Sequence, residues 1–265
     1  MKKVVLAIDS LKGCLTSAEA EAAAEAGVRE HYPQAEVVKV PVSDGGDGML
    51  GVFSQSQDCR LIETGCHNAL MRPVRAAYAV TPDGMAVLES AAACGIGLLK
   101  PGELNPLRAT TYGVGELLAD ALRRGYRRYI VGLGGSATSD CGLGMLAALK
   151  DNFGEAWRER LPDGLEITLA SDVGNPLYGP RGAAAVFGPQ KGATPEMVDC
   201  LDRRARTFSR MASRHMGTDH SHDHGAGAAG GLGYASSSSW EQRWSRGPTL
   251  FCGRPASGLW QLMPT

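Results

Sequence analysis

A β-branched run that stops at an aspartate and a glycine- or serine-rich turn recurs along this chain, and it limits the fold more than any other feature. "VVLAID" stops at Asp9, "VKVPVSDGGDG" at Asp44 and Asp47, "YIVGLGGSATSD" at Asp140 and "ITLASD" at Asp172. Helical patterns lie between these runs. Thr16 and Glu19 form a capping box ahead of "SAEAEAAAEAGVREHY", and "GVGELLADALRRGY" and "PEMVDCLDRRARTFSRMAS" also read as helices. "CRLIETG", "PVRAAYAV" and "MAVLESAAACG" read as further strands, and "VGLGGSATSDCGLGMLAALK" passes from buried strand to amphipathic helix. Strands alternating with helices predict an α/β architecture with a mostly parallel sheet. In such a sheet the carboxyl ends of the strands share one edge, and ligands bind in the crevice there. The aspartates are therefore expected to converge, with two lysines on neighbouring loops: Lys12 in "SLKGC" and Lys191 in "GPQKGATPE".

Composition narrows the chemistry. The net charge is −1 and the pI about 6.6, so nothing favours nucleic acid or an anionic membrane as partner. The opening "MKKVVLAIDSLKG" is interrupted by Asp9 where a signal peptide would stay apolar, and no stretch approaches a membrane span. Cysteines are odd in number and scattered without a CxxC pair, as in reduced cytoplasmic proteins. Arginine supplies most of the positive charge, which sets the few lysines apart.

Carboxylates hold Mg²⁺ through oxygen, lysine neutralises phosphate oxygens, and glycine loops let backbone amides approach a phosphate closely. Taken singly, each loop is an ordinary strand-to-helix turn; the recurrence at several strand ends points to phosphoryl transfer. A rival reading uses "GLGGSA", Gly132 to Ala137, as the G-x-G-x-x-A fingerprint of an NAD(P)-dependent Rossmann-type oxidoreductase. That fingerprint requires an acidic strand end about twenty residues on, and Asp172 comes too late. "GAGAAG", Gly225 to Gly230, repeats the pattern after "HSHDH" rather than after a strand. No G-x-x-x-x-G-K-[ST] is present. His215, His220, His222 and His224 gather in "HMGTDHSHDH", read as a solvated loop, and His31 and His67 carry no signal.

The residues after Ala235 break the style. "SSSSWEQRWSRGPTLFCGRPASGLWQLMPT" has neither helical nor strand periodicity and holds three of the four tryptophans. It reads either as a disordered tail or as a shift of reading frame near Ala235. Serine codons of the TCN type, moved back one base, become NTC codons for Leu, Phe, Ile or Val, which would continue "GGLGYA" as an apolar helix. Resequencing the gene separates the two.

"AIDSLKGCLTSAEA", "VPVSDGGDG", "GLGGSATSDCGLGML", "DVGNPLYGPRGAAAVFGPQKGATPEMV" and "GAGAAGGLGYA", in that order from about Lys3 to Tyr234, resemble the type-1 glycerate kinases. The resemblance implies ATP-dependent phosphorylation of D-glycerate to 2-phosphoglycerate with Mg²⁺. It implies two interleaved α/β lobes, one flavodoxin-like with a mostly parallel sheet and the other with a mixed sheet, and a site in the cleft between them. Residues 1–60 are expected to form part of the flavodoxin-like lobe, 61–235 the second lobe and 236–265 an aberrant tail, where family members continue with strands that complete the first lobe. Ser10 and Lys12 fall in the first motif, and Asp44, Gly45 and Gly46 in the second. Gly134, Gly135, Ser136 and Asp140 form the third; Asp172 and Asn175 open the fourth and Lys191 closes it. On this resemblance Lys12 and Lys191 neutralise phosphate or the glycerate carboxylate. Asp44 or Asp172 holds Mg²⁺ or takes the proton of the attacking hydroxyl, and the "GGSA" amides cradle phosphate.

Overall fold

Each run read as a strand contains one, and the strands form two sheets. The computed structural model describes residues 2–11, 13–46 and 48–239. The chain begins with β1 (Lys3–Leu6), α1 (Ser17–His31), β2 (Glu36–Lys39) and α2 (Met49–Ser56). Then come β3 (Arg60–His67), β4 (Pro73–Val80), β5 (Met85–Glu89), α3 (Ala91–Cys94), α4 (Tyr112–Arg123) and β6 (Arg128–Gly132). It continues with α5 (Leu143–Phe153), β7 (Glu166–Ala170), α6 (Ala183–Phe187), α7 (Pro195–Met216) and α8 (Ala228–Ser239). The run "MAVLESAAACG" departs from its reading as one strand. It turns helical at Ala91, where consecutive alanines favour helix and the Cys94 amide donates to the Ser90 carbonyl.

β1 and β2 pair in parallel, Val4 opposite Val37 and Val5 opposite Val38. The second sheet has the order β3-β4-β5-β6-β7, antiparallel from β3 to β5 and parallel from β5 to β7. The expected pair of sheets, one parallel and one mixed, is therefore present. The capping box of α1 is also formed: Thr16 Oγ1 accepts from the Glu19 amide at 3.3 Å, and the Thr16 amide donates to Glu19 Oε2 at 2.8 Å.

Each face of the five-stranded sheet carries a buried cluster, the second of them over β4 to β7, and the two-residue strand period assigns side chains to each. Tyr78, Leu88, Val131 and Leu169 point into one cluster, shared with Leu117 and Met145 from α4 and α5. Ala79, Val87, Ile130 and Ala170 point the other way, against Met49 and Phe53 of α2. Each large apolar side chain so buried contributes about 1.5–3 kcal/mol. α2, which precedes β3, covers one face of the five-stranded sheet. The sequence readings made beyond Ser239 lie outside the described residues; before that point α8 runs through Ser236 to Ser239.

Candidate active site

The carboxyl ends of β5, β6 and β7 share one edge, as parallel pairing requires. The loop after β6 leaves it at Leu133 and does not enter α5 until Leu143. The loop before α2 lies against it, backbone to backbone: the Gly134 amide donates to the Gly45 carbonyl at 3.1 Å. The approach is too close for a side chain. A Cβ on Gly134 would stand 2.4 Å from Gly46 Cα, and one on Gly45, whose φ is +86°, would stand 2.5 Å from the Ala170 carbonyl oxygen. The second and third motifs are thus pressed together by residues that have no side chain to keep them apart.

Beside this contact opens a cavity of about 210 Å³ whose walls include Gly134, Gly135, Ser136, Asp172, Gln190 and Lys191. Lys191 is the cation of the site. Only 2% of it is exposed, and its amine donates to the Thr138 carbonyl at 2.6 Å and to Ser136 Oγ at 3.2 Å. Burial pushes the amine down to about 8, against the opposing pull of the Asp140 carboxylate. The Cys94 thiol is itself pushed up to about 12 by burial, so it is neutral at ordinary pH. Asp172 is exposed at the cavity wall. Asp44 is half-buried one residue from Gly45, and its Oδ1 accepts from the Gly46 amide at 2.7 Å.

Other residues of the five motifs lie elsewhere. Ser10 lines a separate cavity of about 320 Å³ with Asp9, Ser17, Gly48 and Gln55. Asn175 lines a third, of about 350 Å³, with Arg181 and His222, and its side-chain amide donates to the Arg181 carbonyl. The Asp140 carboxylate accepts from the amides of Thr111, Gly142 and Gly144 and from the hydroxyls of Thr110 and Thr111. Lys12 and Asp47 lie outside the described residues. Of the clustered histidines, His220 pairs with Asp223 at 2.8 Å, and His222 and His224 are exposed.

Two features of this edge escaped the sequence reading. Glu89 ends β5 and is 7% exposed, and its Oε1 accepts from the Leu50 amide at 2.6 Å, fastening the first turn of α2 to the sheet. The strand-end rule would have found it had glutamate been weighed with aspartate. Thr111 is fully buried beneath the third motif, and no local pattern in "RATTYGVG" marks it.

The oxidoreductase reading does not hold. Its fingerprint needs a helix that opens within the glycine turn, with its first amides on the pyrophosphate. Here residues 133–142 intervene, and the Gly134 amide is committed to Gly45.

The model of the glycerate kinase family matches residues 4–166 and 155–253. The glycerate kinase of Bacillus subtilis is 42% identical over 258 residues, an alignment covering 88% of this chain and 67% of the relative. The glycerate 2-kinase of Escherichia coli is 37% identical, with the same shares covered. Among solved structures, one described as glycerate kinase 2 from Salmonella typhimurium LT2 superposes with a TM-score of 0.75 at 37% identity, covering 93% of this chain and 72% of that one. Agreement of this extent places the chain in the glycerate kinase family.

Proposed function

We propose that the chain transfers the γ-phosphoryl group of ATP to a hydroxyl of D-glycerate, giving 2-phosphoglycerate and ADP, in the cleft around Gly134 and Lys191. The observation that carries this reading is Lys191. A lysine almost wholly removed from water is costly unless an anion answers it, and its two partners here are neutral oxygens. Glycerate is a small carboxylate, and a cavity of about 210 Å³ suits it far better than a whole nucleotide. The charged amine would neutralise the acceptor's carboxylate or a phosphate oxygen. The amides of Gly135 and Ser136, at the same wall, would cradle phosphate oxygens.

The hydroxyl oxygen attacks phosphorus, the bond to the β-phosphate oxygen breaks, and the hydroxyl proton passes to Asp172 or Asp44. Catalysis of this kind is mostly positioning and charge neutralisation. Among the described residues no group of three or more His, Cys, Asp or Glu side chains forms a protein cage for a metal. Mg²⁺ does not need one, since it is held by one or two carboxylates together with phosphate oxygens. Asp172 or Asp44, at adjacent loops of one edge, fits that donor set and would hold it, leaving the other to take the proton. When bound, Mg²⁺ would offset the charge that develops on the phosphate oxygens.

In the same reading β1 and β2 belong to the flavodoxin-like lobe, and the segment 61–235 forms the second. Among the described residues no helix is long and apolar enough to cross a membrane, and the six cysteines there are all free. Both fit a cytoplasmic setting, where ATP is supplied.

The test is ³¹P NMR of the purified chain with MgATP and D-glycerate. A 2-phosphoglycerate resonance growing in step with ADP is expected. Formation of ADP with inorganic phosphate alone would overturn the acceptor, and an unchanged spectrum would overturn the activity of this chain.

A further inference from the structure

The Asp140 carboxylate is held by the backbone amides and hydroxyls of four residues, and it is not among the residues that line the cavity. It accepts from the Thr111 amide at 2.8 Å, the Thr111 hydroxyl at 2.9 Å, the Gly142 amide at 3.0 Å, the Gly144 amide at 3.1 Å and the Thr110 hydroxyl at 3.3 Å. Four of these donors meet Oδ2 and the Gly142 amide meets Oδ1, so both oxygens are engaged within the fold. These donors come from two places: the residues just before α4, and the first turn of α5. Thr111 Oγ1 also accepts from the Met145 amide at 3.0 Å, tying the same two helix starts a second time. The elements are in direct contact, since a Cβ on Gly144 would stand 2.0 Å from Thr110 Oγ1.

What this knot holds is the loop that aims Lys191. Two residues before Asp140 lies Thr138, whose carbonyl takes the shortest bond from the Lys191 amine, and two further back lies Ser136, whose hydroxyl takes the other. The near end of this loop is tied to α3 and the residues after it: the Ala137 amide donates to the Cys94 carbonyl and the Ile96 amide to the Gly135 carbonyl. At the far end, the side-chain anchor is Asp140. The carboxylate also places a fixed negative charge where it acts on the buried ammonium. The other titratable groups around the amine are Cys94, neutral at ordinary pH, and Asp172 on the cavity wall.

We propose that Asp140 and Thr111 are positioning residues for the anion site: their hydrogen-bonded knot fixes the loop whose Ser136 hydroxyl and Thr138 carbonyl hold the Lys191 amine at the cavity. Neither residue touches substrate. They act through Lys191, so the proposal rests on the reading that Lys191 meets the carboxylate of D-glycerate or a phosphate oxygen.

The experiment measures D-glycerate binding by calorimetry and the titration of Lys191 by NMR of chains carrying ¹³C-labelled lysine. The Lys191 resonance is identified as the one missing from Lys191→Met. Thr111→Val removes the hydroxyl at nearly constant volume, Thr111→Ser restores it, and Asp140→Asn removes the charge while keeping the shape. Thr111→Val and Asp140→Asn should each weaken D-glycerate by about tenfold, in line with the cost of misplacing a polar group. Thr111→Ser should return to within about twofold of the wild type. In Asp140→Asn, Lys191 should titrate at a lower pH than in the wild type, because a nearby negative charge no longer favours the ammonium.

If Thr111→Val and Asp140→Asn melt earlier yet bind D-glycerate as the wild type does, with the Lys191 titration unmoved, the knot is purely structural and the proposal is overturned. Lys191→Met separates the two readings. Should it bind D-glycerate normally, the role of Lys191 fails. Should it lose binding while Thr111→Val and Asp140→Asn keep it, only the positioning role fails. A wild type that binds no D-glycerate would refute the site reading, and the Lys191 titration in Asp140→Asn would then still decide whether the knot governs the amine. If Asp140→Asn does not fold, Thr111→Val decides between the outcomes, because the titration needs only a folded chain.

Discussion

Lys191 holds its charge in a place that water scarcely reaches, and the pH dependence of stability should show it. Its amine is pushed from the ordinary value of 10.5 down to about 8 by burial, a penalty on the folded state of about 3 kcal/mol while the amine is charged. Below pH 8 both folded and unfolded chains carry the proton, so the full penalty is present. Between 8 and 10.5 the unfolded chain still binds the proton that the folded chain has lost, so stability rises with pH. Lys191→Met removes the penalty but leaves the Thr138 carbonyl and Ser136 hydroxyl without their donor, a loss of about 1–3 kcal/mol for each buried group. The melting temperatures of variant and wild type should nearly coincide at pH 7, and the variant should fall below the wild type at pH 10. Thermal melts at the two pH values check this; a gap that stays constant would mean the amine does not titrate in that range. At this scale the sequence was informative about which lysine to inspect, because lysine is scarce and this one sits in a glycine loop. It was silent about Thr111, which acts on a partner distant in sequence, and a window along one segment cannot reveal such a pair.

Among the elements, the strands were legible and the short helices less so. Strand runs such as "PVRAAYAV" are β-branched or alternate apolar residues, and β4 occupies those very residues, Pro73 to Val80. The four-residue helix α3 and the five-residue α6 are far shorter than the window of about 11–18 residues over which a helical period is recognised. Their existence is decided by packing and by the turns on either side. The loops between elements carry the site, and their glycines set how near two loops can come. Gly134→Ala puts a methyl 2.4 Å from Gly46 Cα, and relief requires backbone movement in one loop or the other. The expected cost is about 1–3 kcal/mol, the usual range for overpacking, with D-glycerate binding weakened in the same variant. Urea unfolding and calorimetry on the one protein measure both. Unaltered stability would show that the two loops are not held against each other as described.

For the whole molecule, the alternation of strands and helices was enough to expect an α/β fold; of the recurring strand-end acids, Asp172 lines the cavity at the sheet edge and Asp44 adjoins Gly45 there, whereas Asp9 lines a separate cavity. The partition into one parallel and one mixed sheet came from the family resemblance and not from the local pattern, because a short parallel pair and a strand of a larger sheet look alike in a single segment. Which sheet α2 covers was hidden for the same reason. "MLGVFSQS" has an apolar side, but nothing in it names the surface it meets. Phe53 closes the second face of the five-stranded sheet, so Phe53→Ala should destabilise the chain by about 3–5 kcal/mol, as for other buried aromatic truncations. Denaturant unfolding checks this, and a loss under about 1 kcal/mol, small beside that range, would mean that α2 does not seal that face. The position of α2 also bears on how such a chain can be inherited. The stretch ahead of Arg60 supplies both a small sheet of its own and the cover of its neighbour, so recombination at that boundary would hand each descendant a surface without its lining. The two halves are stitched rather than stacked, and they can only be passed on together.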